Sequence, residues 1–182
     1  VTGATLGIVG FGRIGQAVAR RAKGFEMQIL YTSRHRCDVE LEQSLGVEFV
    51  ALDRLLQESD FVTIHTPLSE DTYHLFSDRQ FELMKQSAIL VNTARGQIVE
   101  PDALYRALST GQIAGAALDV TEPEPIRMDS PLLTLDNLII APHIGSASRQ
   151  TREKMANMAI ENLIAGLKSD RLPYCVNPDV YE

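Results

Sequence analysis

Residues 5–24 read Thr-Leu-Gly-Ile-Val-Gly-Phe-Gly-Arg-Ile-Gly-Gln-Ala-Val-Ala-Arg-Arg-Ala-Lys-Gly. The apolar run ending at Val9 predicts a buried strand, and the spacing of Ile14, Val18 and Ala22 predicts a helix behind it. Between the two, Gly10, Gly12 and Gly15 form G-x-G-x-x-G, the order a dinucleotide site needs. Gly10 turns the chain out of the strand. Gly12 lets a pyrophosphate approach the backbone, and Gly15 lets the helix pack tightly on the strand. The N–H groups of the first helical turn, near Arg13 and Ile14, then face the phosphates at the favourable end of the helix dipole. Three glycines alone are weak evidence; the strand before, the helix after and a second strand over 27–31 supply the context that makes them specific.

The same alternation continues along the chain. Further strands are expected over 47–50, 61–65, 88–92, 114–119 and 138–141. A helix ends at Leu45, stopped by Gly46, and a short one covers 53–57. Ser77-Asp78-Arg79-Gln80 is a capping box opening a helix with Phe81 and Met84 on its inner face. Pro101 begins another helix, which Gly111 ends, and a long final helix over 147–167 carries Met155, Ala159 and Leu163 on one stripe. Most strands are continuous apolar runs. The fold class is therefore α/β: a doubly wound parallel sheet of about seven strands with helices on both faces, the Rossmann dinucleotide-binding arrangement. Right-handed crossovers put every strand's carboxyl end on one edge. The glycine loop, 32–36, 65–67, 93–96, 119–124 and 143–146 then converge on one rim, where such sheets bind ligands.

The 182 residues suffice to bury a core. The net charge of −7 disfavours a general nucleic-acid or anionic-membrane surface. No apolar run is long enough to span a bilayer. Cys37 and Cys175 match neither a metal spacing nor a disulfide framework, so no metal is expected and two reduced thiols of a cytoplasmic protein are. The first residue is Val1 rather than methionine, and strand-like sequence begins almost at once, as expected of a piece of a longer protein.

An NAD-preferring site carries an acid at the end of the second strand, bonded to the ribose 2′-hydroxyl. Here the segment is Tyr31-Thr32-Ser33-Arg34-His35-Arg36, with no acid before Asp38. Ser33 offers a hydroxyl donor and Arg34 a planar fork suited to phosphate, so NADP is the preferred cofactor and NAD a possible one.

Three ionisable residues follow consecutive strands on the shared rim: Arg95, Glu124 and His143. Reduction of a 2-oxo acid needs a cation to clamp the carboxylate and polarise the carbonyl, and an acid to protonate the developing alkoxide. Arg95 suits the first task. His143 suits the second, because an imidazole exchanges its proton near neutral pH. Glu124 would hold one ring nitrogen. Singly, each has a plain alternative as a surface arginine, a loop acid or a capped histidine; the joint pattern is what points to chemistry.

The combination of Gly-Ile-Val-Gly-Phe-Gly-Arg-Ile-Gly (7–15), Val-Asn-Thr-Ala-Arg-Gly (91–96), Ala-Leu-Asp-Val (117–120), Glu-Pro-Glu-Pro (122–125) and Pro-His-Ile-Gly-Ser-Ala (142–147) resembles the cofactor domain of the D-isomer-specific 2-hydroxyacid dehydrogenases, glyoxylate/hydroxypyruvate reductase branch. The resemblance covers essentially the whole chain. It implies hydride transfer between NADP(H) and a small 2-oxo acid, with Arg95 binding substrate, His143 as acid/base and Glu124 orienting it. It further implies that Asp119 meets the nicotinamide carboxamide, that Thr93, Ala94 and Gly145 lie near that end, and that Pro67 and Thr72 border the adenosine side. A homodimer through this domain is implied as well. In the family a substrate domain is built from residues before the cofactor domain plus the C-terminal end. Residues 1–172 are accordingly expected to form the dinucleotide-binding domain and 173–182 a tail of the other. Such a chain alone would bind cofactor yet reduce substrate poorly. Two rivals stand beside this reading. One is a non-catalytic dinucleotide-sensing module of the co-repressor kind, since fold does not fix function. The other, an S-adenosylmethionine methyltransferase, needs an acid where Ser33 and Arg34 stand.

Overall fold

Seven strands form one sheet in the computed structural model, which describes residues 1–182: β1 (Thr5–Val9), β2 (Gln28–Thr32), β3 (Val47–Phe49), β4 (Phe61–Ile64), β5 (Ile89–Asn92), β6 (Gly115–Leu118) and β7 (Leu138–Ile140). All neighbours pair in parallel, in the order β3-β2-β1-β4-β5-β6-β7. The chain moves outward from β1 through β2 to β3, crosses back to β4, and moves outward the other way. That reversal between β1 and β4 opens a crevice at the strands' carboxyl ends. The strand expected over 27–31 lies one residue later, because pairing begins with the Gln28 N–H donating to the Ala4 carbonyl (3.1 Å).

The helices are α1 (Arg13–Ala22), α2 (Val39–Leu45), α3 (Leu52–Glu58), α4 (Asp78–Leu83), α5 (Pro101–Ser109) and α6 (Arg149–Leu167). Alternation along β1 feeds two separate cores, one per face. Leu6 and Ile8 pack with Ala19 and Ala22 of α1, Leu45 of α2 and Tyr31 of β2. Val9 belongs to the other cluster, with Leu55 and Leu56 of α3, Phe81 of α4, and Leu104 and Leu108 of α5. Burying each of these large side chains is worth about 1.5–3 kcal/mol. The apolar run of β7 is not matched by burial, since Ile139 on this edge strand is 71% exposed.

One residue fastens the sheet at its amino ends. The Asp60 carboxylate accepts the Thr5 N–H and the Lys85 ammonium, each at 2.8 Å. Its backbone N–H donates to the Thr5 carbonyl (2.9 Å), and its carbonyl accepts the Ile89 N–H (3.0 Å). β1, β4 and β5 thus meet at a single aspartate. The Lys85 bond, then the Thr5 bond, holds its carboxyl below the usual range.

The chain forms two compact units, Val1–His143 with the whole sheet and Ile144–Glu182 with α6. In the second, Ser148 caps α6 by accepting the Thr151 N–H (3.2 Å). The Asn162 side chain brackets Tyr174, donating to its carbonyl (3.2 Å) and accepting its N–H (2.9 Å), which ties the terminal segment to the helix. No helix is long and apolar enough to cross a membrane. Both cysteines are free.

Candidate active site

The glycine loop has the shape its sequence demands. Gly10 sits at φ +95°, and a Cβ there would strike the backbone nitrogen of Thr66, so only glycine serves. A Cβ on Gly15 would strike the Gly10 carbonyl, which is the close helix–strand approach expected. Gly12 is different. Nothing stands within 4 Å of the space its Cβ would fill, and it caps α1 without any side-chain hydrogen bond. Open room therefore lies directly before an uncapped helix N-terminus whose first turn, with Arg13 and Ile14, is exposed. This is a cradle that fits a dinucleotide's phosphates.

A cleft of about 590 Å³ runs from this loop and is lined by Gly10, Phe11 and Gly12, by Ser33, Arg34 and His35 after β2, and by Pro67 and Thr72 after β4. The Thr72 hydroxyl donates to the Pro67 carbonyl at 2.7 Å, so these two form one wall. Arg34 is exposed and makes no hydrogen bond or ion pair. The Ser33 hydroxyl donates to the His35 carbonyl at 2.5 Å. It therefore shapes the loop, and a bond from it to a phosphate needs Oγ to turn. Arg36, from the same basic stretch, is held by Glu42 through Nε (2.8 Å) and Nη2 (2.7 Å). A second cleft of about 430 Å³ shares the wall His65–Pro67 and is lined by Ile14, Thr93, Ala94 and Arg95. Burial pushes the His65 ring below the usual histidine range, and Thr63 Oγ1 meets its Nε2 at 3.0 Å.

β5, β6 and β7 are consecutive neighbours, spaced by about 4.8 Å per strand, and the loops after them carry Arg95, Glu124 and His143. Asn92, buried at the end of β5, brackets the first loop: its amide donates to the Arg95 carbonyl (2.8 Å) and its oxygen accepts the Ala94 N–H (3.0 Å). The exposed Arg95 guanidinium rests on the Ala94 carbonyl at 2.6 Å. Gly96 then lies against the backbone of Thr121, where any Cβ would collide, so this loop and the one after β6 are in direct contact. The loop after β6 is tied twice: Thr121 Oγ1 donates to the Pro123 carbonyl (2.8 Å), and Glu122 meets His74 Nε2 at 2.7 Å.

The decisive contact lies one step on. His143 Nδ1 meets Glu124 Oε1 at 2.6 Å, with the two side chains 49% and 41% exposed. With Nδ1–H donated to the carboxylate, Nε2 is the ring's other proton-carrying position. His143 adopts φ +53°, a left-handed backbone rare for a side chain with a Cβ and typical of functional sites. Asp119, Glu124 and His143 line a third cleft of about 450 Å³. Glu124 and His143 are thus brought together, and Arg95 stands on the neighbouring strand's loop in a different cleft. Gly145 falls in the second unit. No group of three or more His, Cys, Asp or Glu is placed to hold a metal. Asn92, His65, His35 and the His74–Glu122 pair were not legible as site residues. Asn92 and His35 matter through nearby backbone contacts, His65 through its burial, and His74 and Glu122 through partners far apart in sequence, none of which spacing encodes.

Residues 1–145 match the family model for the D-isomer specific 2-hydroxyacid dehydrogenase, NAD binding domain. The chain belongs to this family. It is 57% identical over 180 residues to the glyoxylate reductase of Korarchaeum cryptofilum, covering 99% of this chain and 54% of that protein. It is 52% identical over 177 residues to the glyoxylate/hydroxypyruvate reductase B of Klebsiella pneumoniae, covering 97% and 54%. The crystal structure of the TT0316 protein from Thermus thermophilus superposes with a TM-score of 0.88 at 48% identity, covering 94% of this chain and 53% of that one. The chain spans about half the length of these relatives, and the family's Rossmann-like parallel sheet is the fold described above.

Proposed function

We propose that this chain is the cofactor-binding and catalytic-residue-bearing part of an NADP(H)-preferring D-2-hydroxyacid dehydrogenase that reduces glyoxylate or hydroxypyruvate. The carrying observation is the 2.6 Å His143–Glu124 pair, on the rim that also bears Arg95 and the phosphate cradle. The cofactor, when bound, supplies the hydride. Arg95 clamps the substrate carboxylate and draws charge toward the carbonyl oxygen. His143 gives a proton to that oxygen, and Glu124 fixes the imidazole's tautomer and steadies the imidazolium. Gly10, Gly12, Arg13, Ile14 and Gly15 hold the phosphates, and Pro67 and Thr72 the adenosine side. Thr93, Ala94 and Asp119 hold the nicotinamide side. Arg34, uncommitted beside the cleft, supports the preference for a 2′-phosphate. The relatives' greater length supports a substrate domain beyond residues 1–172, with 173–182 as its tail, and the family supports pairing with a second copy. Sedimentation of the intact protein measures the latter.

The test is reduction of glyoxylate and hydroxypyruvate by the intact protein and its His143→Asn and Glu124→Gln variants, with NADPH binding followed separately. Turnover in His143→Asn should fall about 10²–10⁴-fold with NADPH binding preserved. Undiminished turnover would remove His143 from the chemistry. Cofactor binding without turnover in the unaltered protein would favour a dinucleotide-sensing module.

A further inference from the structure

Behind the loop that carries Arg34 lies a charged cluster that spacing did not disclose. Tyr31, fully buried at the end of β2, donates its hydroxyl to Glu42 Oε1 at 2.6 Å and accepts the Cys37 N–H at 3.0 Å. Glu42, on α2, is almost wholly buried, and it takes the bidentate Arg36 fork on the loop's far side. Arg36, then Tyr31, holds the Glu42 carboxyl down to about 2. Burial, with the Cys37 and Glu42 bonds, pushes the Tyr31 phenol up, so both groups keep these protonation states across the working pH range. The Tyr31 ring stacks on Phe11 with centroids 4.0 Å apart, and Phe11 stands between Gly10 and Gly12. One tyrosine therefore joins the phosphate loop to the far end of the segment 33–37, whose near end runs straight out of β2.

We propose that the Tyr31–Glu42–Arg36 cluster is a specificity-positioning device: it pins the far end of the segment after β2, at Arg36 and Cys37, so that Arg34 is presented to the ribose 2′ position. This rests on the 2′-phosphate reading of Arg34 given above. A buried carboxylate is tolerated here because a guanidinium and a phenol satisfy it. What it secures is location. A fixed loop presents its cation without first losing conformational freedom, a loss that would otherwise oppose binding. Arg36, although basic and two residues from Arg34, is on this account a strut and not a phosphate ligand. Cys37 enters through its backbone N–H and through its Sγ, 3.1 Å from the Tyr31 hydroxyl.

The experiment measures dissociation constants for NADPH and NADH by nicotinamide fluorescence, together with melting temperatures, in the intact protein and four variants. Arg34→Ala tests the underlying reading: NADPH should weaken at least tenfold and NADH little, and equal losses would refute the 2′-phosphate role itself. Tyr31→Phe keeps the Phe11 stack and removes only the hydroxyl. Arg36→Lys keeps the charge and removes the fork. Glu42→Gln removes the buried charge. Each of these should lower the NADPH-to-NADH preference by roughly three- to tenfold while leaving NADH affinity within twofold. A purely structural role would weaken both cofactors alike or move only the melting temperature, and either result would overturn the proposal. Tighter NADPH binding in Glu42→Gln would also overturn it, since that would make Arg36 a phosphate ligand held in reserve.

Discussion

Gly10 and Gly12 stand two positions apart, and the structure gives them opposite vulnerabilities. At Gly10 the positive φ and the nearby Thr66 backbone make any side chain a structural fault. Gly10→Ala should cost at least about 1–2 kcal/mol of stability, read from urea unfolding. At Gly12 the backbone is ordinary (φ −76°) and the space is open. Gly12→Ala should cost only about 0.5–1 kcal/mol, the loss of a favoured N-cap residue, yet weaken NADPH binding tenfold or more, because the methyl group fills the space a pyrophosphate needs. Equal binding by Gly12→Ala and the unaltered protein would empty the cradle of its meaning. The sequence disclosed both glycines, because their spacing is local. The meeting of Glu124 with His143 was likewise readable, because the two follow adjacent strands. The sequence did not disclose that the Ser33 hydroxyl donates to the His35 carbonyl or that Asn92 shapes the Arg95 turn, because those bonds depend on the local loop dihedrals, nor that His74 holds Glu122, which depends on how separate loops meet.

At the scale of elements, a parallel sheet with its carboxyl ends on one edge followed from alternation and the right-handed crossover, the order of its strands came from their pairing, and boundaries shifted by a residue or two where pairing partners decided them. Asp60 is the element-scale feature that patterning missed, since an acid before an apolar run looks like a turn. Its carboxylate contributes stability through Lys85 and Thr5, and Asp60→Asn should cost about 1–2 kcal/mol at pH 7. The sign with pH follows from the lowered folded-state value. The contribution is complete above the ordinary aspartate value near ~3.9 and is lost as pH falls below it toward the folded-state value. The stability gap between the unaltered protein and Asp60→Asn should therefore shrink in acid unfolding series, and a gap constant from pH 7 to pH 3 would show the ion pair to be idle.

For the molecule as a whole, binding and stability are linked. A ligand held only by the folded state adds about 2.7 kcal/mol at a hundredfold excess over its dissociation constant. For a chain of this size that corresponds to roughly 5–10 °C in melting temperature. NADPH should give that shift, and NADH at the same concentration should give less; the reverse order would contradict the assignment of Arg34. The parallel sheet was legible as a class, but which face each half of it covers was not. The weak burial of β7 shows why: an apolar strand reports that it wants cover without saying what supplies it.

The placement of β1 has a consequence for synthesis. On the ribosome this strand emerges before the other six of the sheet, and β2 reaches it soon after through Leu6 and Ile29. Its other flank waits for the stretch Phe61–Ile64. Until then one row of its amide and carbonyl groups stays open to water or to chaperones, and the future nucleotide crevice has only one bank. Arrested nascent chains should resist protease only once β4 has cleared the exit tunnel.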